Sequence, residues 1–193
     1  MTDPNPEAHA PLTCEGTVAG LSASPGHHFS KEPRESVRLV EGHGVEGDGH
    51  AGATVQHLSR RRWRPEAPNL RQVHLMMAEL LEELTGLGYD VPPGRLGENV
   101  TTSGVDLLAL PAGTVLRLGD EAEVEVTGLR NPCVQIDRYS PGLLAEVLGR
   151  DEAGEVVRRA GVMGVVRRSG TVRVGDRLVA VLPDGPHLPL APV

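Results

Sequence analysis

The segment from Glu121 to Gly128 reads EAEVEVTG and alternates strictly between acidic or polar and small apolar residues. Because successive side chains of a β-strand point to opposite faces, this period of two places alanine and valine on one face and glutamate on the other. Such a strand packs on a core with one face and meets solvent with the other. Similar valine-rich segments recur along the chain, separated by turns that use many of its 24 glycines and 16 prolines. The sequence therefore predicts a mainly β fold.

A single domain accounts for most of the chain. We expect it to span residues 16–182, between a mobile N-terminal tail of residues 1–15 and a proline-rich C-terminal tail of residues 183–193. A chain of 193 residues can bury a core without disulfides, and because aromatic residues make up only 2%, that core must consist of Val, Leu, Ala and Met. The strand pattern predicts a mainly antiparallel β-barrel with a few helices packed outside.

Two segments have the pattern of a helix. Apolar side chains recur at helical spacing over residues 70–88, and Asn69 is a suitable N-cap for that helix. A shorter helix is predicted over residues 140–149, with Ser140 as cap and Pro141 at the first helical position.

A weak internal similarity links two later segments. Each contains Gly-Thr-Val followed by a Gly-Asp pair, at Gly119–Asp120 and at Gly175–Asp176. Glycine and aspartate suit tight turns, so each pair predicts a turn between two hairpin strands rather than a duplicated domain.

Composition excludes several functional classes. The formal charge of -7 argues against a nucleic-acid-binding protein, and no apolar run approaches the roughly 20 residues of a membrane-spanning helix. The start of the sequence lacks the apolar core of a signal peptide, and two cysteines make no disulfide framework, so we expect a cytoplasmic protein. The basic run SRRRWR, residues 59–64, is either a solvated loop or a contact for an anionic ligand.

One of the two cysteines, Cys133, lies in an unusual context. It follows Asn-Pro, has Arg130 and Arg138 nearby, and comes directly after the predicted strand. A nearby cation favours the reactive thiolate, and loops at strand ends often carry functional residues. A buried structural cysteine is the alternative. The other cysteine, Cys14, is either an incidental tail residue or a resolving thiol for Cys133.

A glycine-rich loop contains a second set of candidates. His43, His50 and His57 recur every seven residues, with Asp48 among them. Zinc is bound by such residues, but this spacing through a flexible loop defines no regular ligand geometry. Bonds from these histidines to backbone or to an anion are the commoner arrangement.

The segment LGENVTTSG, residues 96–104, is the third candidate. Glu98 and Asn99 follow Gly97 in a predicted tight turn. Their amides either contact a ligand or bond to the local backbone as part of a structural turn.

Taken together, these segments resemble the MOSC family, which is named for the C-terminal domain of molybdenum-cofactor sulfurase. The likeness spans roughly residues 16–182 and is carried by four motifs in matching order: GVEGDGHAG (44–52), RQVHL (71–75), PGRLGENVTTSGVDLLALPAGTVLRLGD (93–120) and VTGLRNPCVQID (126–137).

The resemblance implies a barrel similar to that of pyruvate kinase and a site that binds the molybdenum cofactor. By position, Cys133 would be the molybdenum ligand and the catalytic residue, Asn131 with Pro132 would position the pyranopterin, and Arg130 would face an anion. The remaining cofactor-binding residues implied in this way are Glu98, Asn99 and Thr101 along the pocket, Asp48 and His50 at its rim, and Arg71 among the arginines available to the phosphate.

This sequence also departs from known members. It contains no counterpart of the extra N-terminal β-barrel of the amidoxime-reducing members or of the pyridoxal-phosphate domain of the sulfurases. Lys31 is the only lysine, so no pyridoxal phosphate is expected. The cofactor phosphate would instead contact arginines such as Arg60 to Arg64, Arg71 and Arg95, or backbone amides.

Two functions follow from the resemblance. The first is a small molybdoenzyme that reduces N-hydroxylated compounds with electrons from a separate donor protein. The second is a sulfur carrier, in which Cys133 accepts a persulfide from a cysteine desulfurase. Both use a small molecule or a cofactor, and neither calls for nucleic acid or a membrane. A module that only binds the cofactor is a third interpretation.

Overall fold

The structure, a computed structural model, describes residues 13–57 and 61–193. Thirteen strands and three helices are formed by these residues. The strands are β1 (Thr13–Ala23), β2 (Glu32–Arg34), β3 (Ser36–Val40), β4 (Gly44–Val45), β5 (Val73–Met77), β6 (Val100–Ser103), β7 (Val115–Leu118), β8 (Ala122–Leu129), β9 (Leu148–Arg150), β10 (Val156–Arg158), β11 (Val162–Arg168), β12 (Gly170–Arg173) and β13 (Arg177–Val181). The helices are α1 (Ala78–Gly86), α2 (Gln135–Tyr139) and α3 (Leu143–Val147).

Seven of these strands close into a barrel. Their order is β13-β7-β8-β11-β5-β6-β1, and pairing of β1 with β13 completes the ring. Neighbouring strands are antiparallel except for β5 and β6, which run parallel. Strand β2 extends the sheet beyond β1, while β9–β10 and β12–β3–β4 form two small separate sheets. The predicted mainly antiparallel barrel is confirmed.

The barrel interior is filled by aliphatic side chains. On β8, Ala122, Val124 and Val126 are buried, in the alternation that the sequence predicts. A second apolar cluster lies outside the barrel, where Leu80 and Leu84 of α1 pack with Ile136 of α2. The helices thus cover one side of the barrel and flank the segment that follows β8.

The predicted helix over residues 70–88 is wrong in its first half. Val73–Met77 forms β5, a central barrel strand between β11 and β6, and α1 begins only at Ala78. Four successive residues of β5 are buried, because this strand is covered on both faces. A continuous apolar run of this kind does not distinguish a buried strand from a helix. Asn69 consequently does not cap a helix.

The second helix and the turns also differ in part from prediction. Within the predicted 140–149 helix, α3 covers Leu143–Val147 and has no side-chain cap, while Leu148 already begins β9. The turn at Gly119–Asp120 joins the paired strands β7 and β8, as predicted. The turn at Gly175–Asp176 joins β12 to β13, which belong to different sheets, so that hairpin prediction was wrong.

Both predicted tails meet the barrel. Strand β1 starts at Thr13, so residues 13–15 belong to a strand, and residues 1–12 lie outside the described residues. The C-terminal segment runs beside β8: the Leu129 N–H donates to the Ala191 carbonyl at 2.9 Å, and the Ala112 N–H donates to the Leu188 carbonyl at 2.9 Å. Residues 188–193 therefore brace the end of β8 rather than forming a detached tail.

In the part of the chain that the structure describes, no helix has the length and apolar character needed to cross a membrane.

Candidate functional site

A cavity of about 1050 Å³ opens beside the barrel. Its wall combines the segment after β1, the glycine-rich loop after β4, the approach to β5, the turn before β6 and the segment after β8. These pieces are distant in sequence, and they meet because β1, β5, β6, β8 and β11 are adjacent or nearly adjacent in the barrel.

The segment after β8 brings Cys133 to the cavity. The Arg130 N–H donates to the Gly161 carbonyl at 3.0 Å, and the Cys133 carbonyl accepts from the Ile136 N–H at 3.0 Å, where α2 starts. Cys133 is partly exposed on the wall, and its thiol donates to Gln135 Oε1 at 3.4 Å. The thiol is therefore accessible from the cavity, and the interpretation of Cys133 as a buried structural residue was wrong.

Arg130 also faces the cavity. One guanidinium nitrogen, Nη1, is buried and has no hydrogen-bond partner among the described residues. Burial lowers the pKa of Arg130, whereas the neighbouring Cys133 and Glu98 act in the opposite direction. Since arginine stays protonated near neutral pH, Arg130 offers an unsatisfied positive donor at the wall.

Glu98 lies behind the wall and is fully buried. Its Oε1 accepts hydrogen bonds from the Gly94 N–H at 2.7 Å and from the Thr101 hydroxyl at 3.4 Å. Its Oε2 has no partner among the described residues. Burial raises the pKa of Glu98, despite the opposing effect of the backbone bonds and of Arg130. Glu98 and Thr101 are therefore not cavity-lining residues, and their predicted place on the wall was wrong.

A buried ion pair lies beneath the same wall. Lys31 Nζ is 2.7 Å from Asp48 Oδ2, and both side chains are almost inaccessible. Oδ2 also accepts from Asn99 Nδ2 at 3.1 Å, while Oδ1 accepts from the His50 N–H at 2.9 Å. Burial would raise the pKa of Asp48, but bonds from His50 and the charge of Lys31 outweigh it and hold that pKa well below the usual range. Burial lowers the pKa of Lys31, against the attraction of Asp48.

Asn99 connects three parts of the site. Its Nδ2 donates to the Ser22 carbonyl at 3.2 Å as well as to Asp48, and its Oδ1 accepts from the His74 N–H at 3.2 Å. The His74 ring is buried, with Nε2 2.8 Å from the Ala160 carbonyl. Burial together with the charge of Arg130 lowers the pKa of His74 well below its ordinary value, so the ring is neutral. Asn99 and His74 both line the cavity.

The structure brings six of the ten predicted site residues onto one wall. They are Cys133, Arg130, Asn131, Asn99, His50 and Arg71. The other four, Asp48, Glu98, Thr101 and Pro132, are buried and do not line the cavity. Asn131 Oδ1 accepts from Arg158 Nε at 3.0 Å, which ties this loop to β10.

The three histidines that recur every seven residues do not all lie at the cavity. His50 and His57 line the cavity, whereas His43 is exposed elsewhere. Over residues 13–57 and 61–193, no group of three His, Cys, Asp or Glu side chains is placed to hold a metal ion. Of the remaining sequence candidates, Cys14 is fixed in β1 opposite Ala180 and, like Arg95, does not line the cavity.

Sequence reasoning missed several residues of the site. Lys31 lines the cavity although its loop has no motif; being the single lysine was its one distinguishing mark. Asn69, expected as a helix cap, lines the cavity and donates through Nδ2 to the carbonyls of His50 and Gly52, both at 3.0 Å. His27 and His28 also lie on the wall, and the His27 and His50 rings are 5.1 Å apart.

The cavity has a consistent electrostatic character. Five of its lining residues are basic, and no Asp or Glu lines it among the described residues; the basic residues are Lys31, Arg64, Arg71, Arg130 and Arg138. This arrangement occurs in a chain whose formal charge is -7. The site therefore suits an anionic ligand.

The protein is a β-barrel protein with an accessible thiol in a cavity that basic residues line. The sequence model of the MOSC domain matches residues 47–179, which is more than half of the chain, and the chain belongs to the MOSC domain family.

Solved structures share this fold. The YuaD protein of Bacillus subtilis is 26% identical, with a TM-score of 0.73, and the match covers 90% of this chain and 100% of that one. YiiM from Escherichia coli is 18% identical over 89% of this chain and 73% of its own, with a TM-score of 0.57. YiiM from Geobacillus stearothermophilus is 16% identical over 90% and 79%, with a TM-score of 0.60. No curated protein matches the sequence.

Proposed function

We propose that the protein binds the molybdenum cofactor in this cavity, with Cys133 as the metal ligand, and reduces N-hydroxylated compounds. The observation that carries the proposal is an accessible thiol in a cavity whose described lining contains four arginines and no Asp or Glu. The fifth basic lining residue, Lys31, is paired with the buried Asp48. A soft thiolate suits a transition metal, and arginine donors suit a phosphate.

The residues present fit such a ligand. The buried Nη1 of Arg130 lacks a partner, so an anion there would satisfy a donor that is costly to leave unpaired. Arg71 adds a second guanidinium to the cavity lining, and the exposed side chain of Asn131 offers an amide group for a polar ring system. The Asn99 amide already bonds to Ser22, Asp48 and His74, so Asn99 supports the wall rather than contacting the ligand. A volume of about 1050 Å³ accommodates a large cofactor together with a small substrate.

In this proposal the protein supplies position and charge, and the cofactor, when bound, would supply the redox chemistry. Reduction of N–OH to N–H consumes two electrons and two protons and releases the oxygen as water. Arg130 and Arg71 would bind the phosphate of the cofactor, and the Cys133 thiolate would hold its metal. The Lys31–Asp48 pair and Asn99 keep the loops of the wall in place. A separate donor protein supplies the electrons.

Elemental analysis tests the proposal. Protein produced in a molybdenum-sufficient host is expected to contain near-stoichiometric molybdenum, which Cys133→Ala abolishes and Cys14→Ala retains. The Cys14 variant is a matched control because Cys14 is an exposed thiol outside the cavity. Absence of molybdenum from the wild-type protein, with its fold intact, contradicts the proposal.

A sulfur-carrier role is the second candidate. The partial exposure of Cys133 favours it, since a donor desulfurase must reach the thiol. Incubation with a cysteine desulfurase and cysteine would then increase the mass of the protein by one sulfur atom, located on Cys133, in the absence of molybdenum. That result supports the carrier and rejects the molybdoenzyme.

A further inference from the structure

The imidazole ring of His50 is held at one nitrogen and open at the other. Its Nδ1 lies 3.3 Å from Asp48 Oδ1, and the same oxygen accepts the His50 backbone N–H at 2.9 Å. The ring lines the cavity, and 29% of the side chain is exposed. No residue of the described chain is hydrogen-bonded to Nε2. This nitrogen is therefore available to a molecule in the cavity.

The Asp48 carboxylate is suited to support a charged ring. It is buried, and its other oxygen, Oδ2, bonds to Lys31 at 2.7 Å and to Asn99 at 3.1 Å, so Oδ1 is left to His50. The low pKa of Asp48 keeps this group ionised at neutral pH. A carboxylate beside Nδ1 keeps the proton of the neutral ring on that nitrogen and stabilises the positive form of the ring. Nε2 then donates a proton when the ring is charged and accepts one when the ring is neutral.

Three other histidines of the lining lack this support. His27 Nε2 is bonded to a backbone carbonyl at 3.0 Å, and His28 Nδ1 lies 3.0 Å from Ser24 Oγ. The His74 ring is buried and neutral, with Nε2 at a backbone carbonyl. No Asp or Glu of the described chain lines the cavity as an alternative acid. His50 thus differs from these histidines in having both a carboxylate partner and an open nitrogen.

Charges of both signs act on the His50 ring. Asp48 favours the positive form of the ring, whereas the basic groups around the cavity oppose it. These groups are Lys31 behind Asp48, the His27 ring at 5.1 Å, His28, His57 and the four arginines of the lining. Asp48 is the charge that contacts the ring directly, so it decides which nitrogen carries the proton.

We propose that His50 is the proton donor of the reduction and that Asp48 is its positioning residue. This inference rests on the proposed function, because it assigns a step to the same cavity. When the N–O bond of the substrate breaks, the charged ring gives its Nε2 proton to the departing hydroxyl, which leaves as water. The second proton goes from solvent to the substrate nitrogen, and the separate donor protein provides both electrons. The neutral ring keeps its Nδ1 proton on Asp48 and takes a new proton from solvent, which reaches the partly exposed side chain.

The first test uses the protein as isolated and needs no molybdenum. Nitrogen-15 NMR of the histidine rings reports which nitrogen carries the proton, and the His50 signal is identified by its absence from His50→Gln. We expect the neutral His50 ring of the wild-type protein to carry its proton on Nδ1. A neutral ring with the proton on Nε2 overturns the proposal, because Asp48 then does not orient the donor.

The second test measures kinetics on preparations of known molybdenum content. Benzamidoxime is the substrate, and dithionite-reduced methyl viologen replaces the donor protein. We expect His50→Gln to retain molybdenum and an unchanged KM, and to lower kcat by about 100-fold. The wild-type kcat should fall as the pH rises from about 5 to about 8, the range in which histidine loses its proton, and His50→Gln should lose this dependence. His43→Gln, which changes an exposed histidine outside the cavity, is the matched control and keeps the wild-type values.

The molybdenum content separates failure of this inference from failure of the proposed function. Absence of molybdenum from the wild-type protein rejects the proposed function and the step that depends on it. With molybdenum present, an unchanged kcat and pH profile in His50→Gln overturns the role of His50 alone. Loss of molybdenum from that variant also overturns this role, since His50 then holds the cofactor rather than supplying a proton.

Discussion

Lys31 Nζ lies 2.7 Å from Asp48 Oδ2, and this ion pair is almost completely shielded from solvent beneath the cavity wall. The pair joins the segment that precedes β2 to the glycine-rich loop, and Asn99 extends the contact to the turn before β6. Three separate parts of the chain are therefore fixed by one carboxylate. The position of the wall depends on that carboxylate remaining ionised.

Asp48→Asn is expected to lower the free energy of unfolding by about 3–5 kcal/mol, because it leaves Lys31 buried without its countercharge. Urea denaturation followed by circular dichroism measures the change. Adding Lys31→Met to this variant should recover part of the loss, since the unpaired charge is then gone. Glu15→Gln, which breaks the exposed pair with Arg177, is the control and should cost less than about 1 kcal/mol. An equal cost for the two single variants would contradict a structural role for the buried pair.

Glu98→Gln tests the buried carboxyl group. Because burial raises the pKa of Glu98 in the folded state, the fold keeps its proton at pH values where the unfolded chain has lost it. The wild-type unfolding free energy therefore falls as the pH rises through the folded-state pKa, whereas the glutamine variant has no such proton. The stability of Glu98→Gln relative to wild type should increase as the pH rises above about 4, the ordinary pKa of glutamate, and should level off once the folded-state carboxyl is ionised.

Denaturation at several pH values measures this difference. Glu32→Gln, on the exposed strand β2, should show no such trend and serves as the control. A difference between Glu98→Gln and wild type that is constant with pH would exclude titration of Glu98 in this range.

Gly161→Ala should destabilise the protein strongly. Gly161 has φ +86°, and a methyl group there would overlap the Leu75 carbonyl and the side chain of Met76. Gly175 has a similar φ of +90° with open space around it, so Gly175→Ala should cost only the backbone strain, about 1–2 kcal/mol. We expect Gly161→Ala to exceed about 4 kcal/mol, the range typical of severe packing defects. Comparable costs at both positions, measured by thermal unfolding, would refute the steric explanation.

Removal of residues 186–193 should loosen the loop that carries Cys133. The deletion breaks the bonds of Leu129 to Ala191 and of Ala112 to Leu188, so we expect a loss of about 2 kcal/mol for these backbone bonds. In a Cys14→Ser background, a thiol reagent should then label Cys133 faster. Leu188→Ala, which changes an exposed side chain and keeps the backbone bonds, is the matched control. An unchanged labelling rate would show that the segment does not position the loop.

Local pattern was informative where one face of an element is buried. The alternation of β8 predicted its inward and outward faces because a half-buried strand has a period of two. The same kind of pattern did not identify β5, because this strand is covered on both faces and its sequence lacks a period of two. Neighbouring strands therefore decide whether residues 73–77 form a strand or a helix.

The motifs predicted which residues lie near the site, but they did not predict which side chains face the cavity. The motif segments placed Cys133, Arg130 and Asn99 together, and the structure agrees. The motifs did not separate lining residues from supporting ones: Glu98 and Thr101 lie within two residues of Asn99, which lines the cavity, yet both are buried behind the wall. Side-chain direction in a tight turn depends on the surrounding packing, which a motif does not record.

The sequence by itself determined the β-rich class, the alternation of β8, and the chemical groups available near Cys133, since these depend on local periodicity and residue type. Only the tertiary structure decided which charges are buried and which face the cavity. Lys31 and Asp48 are 17 residues apart, and Asn99 is 51 residues from Asp48, so their contacts exist only after the barrel has closed. The physical reason is that burying a charge without a partner is costly, and the fold brings that partner from a distant segment.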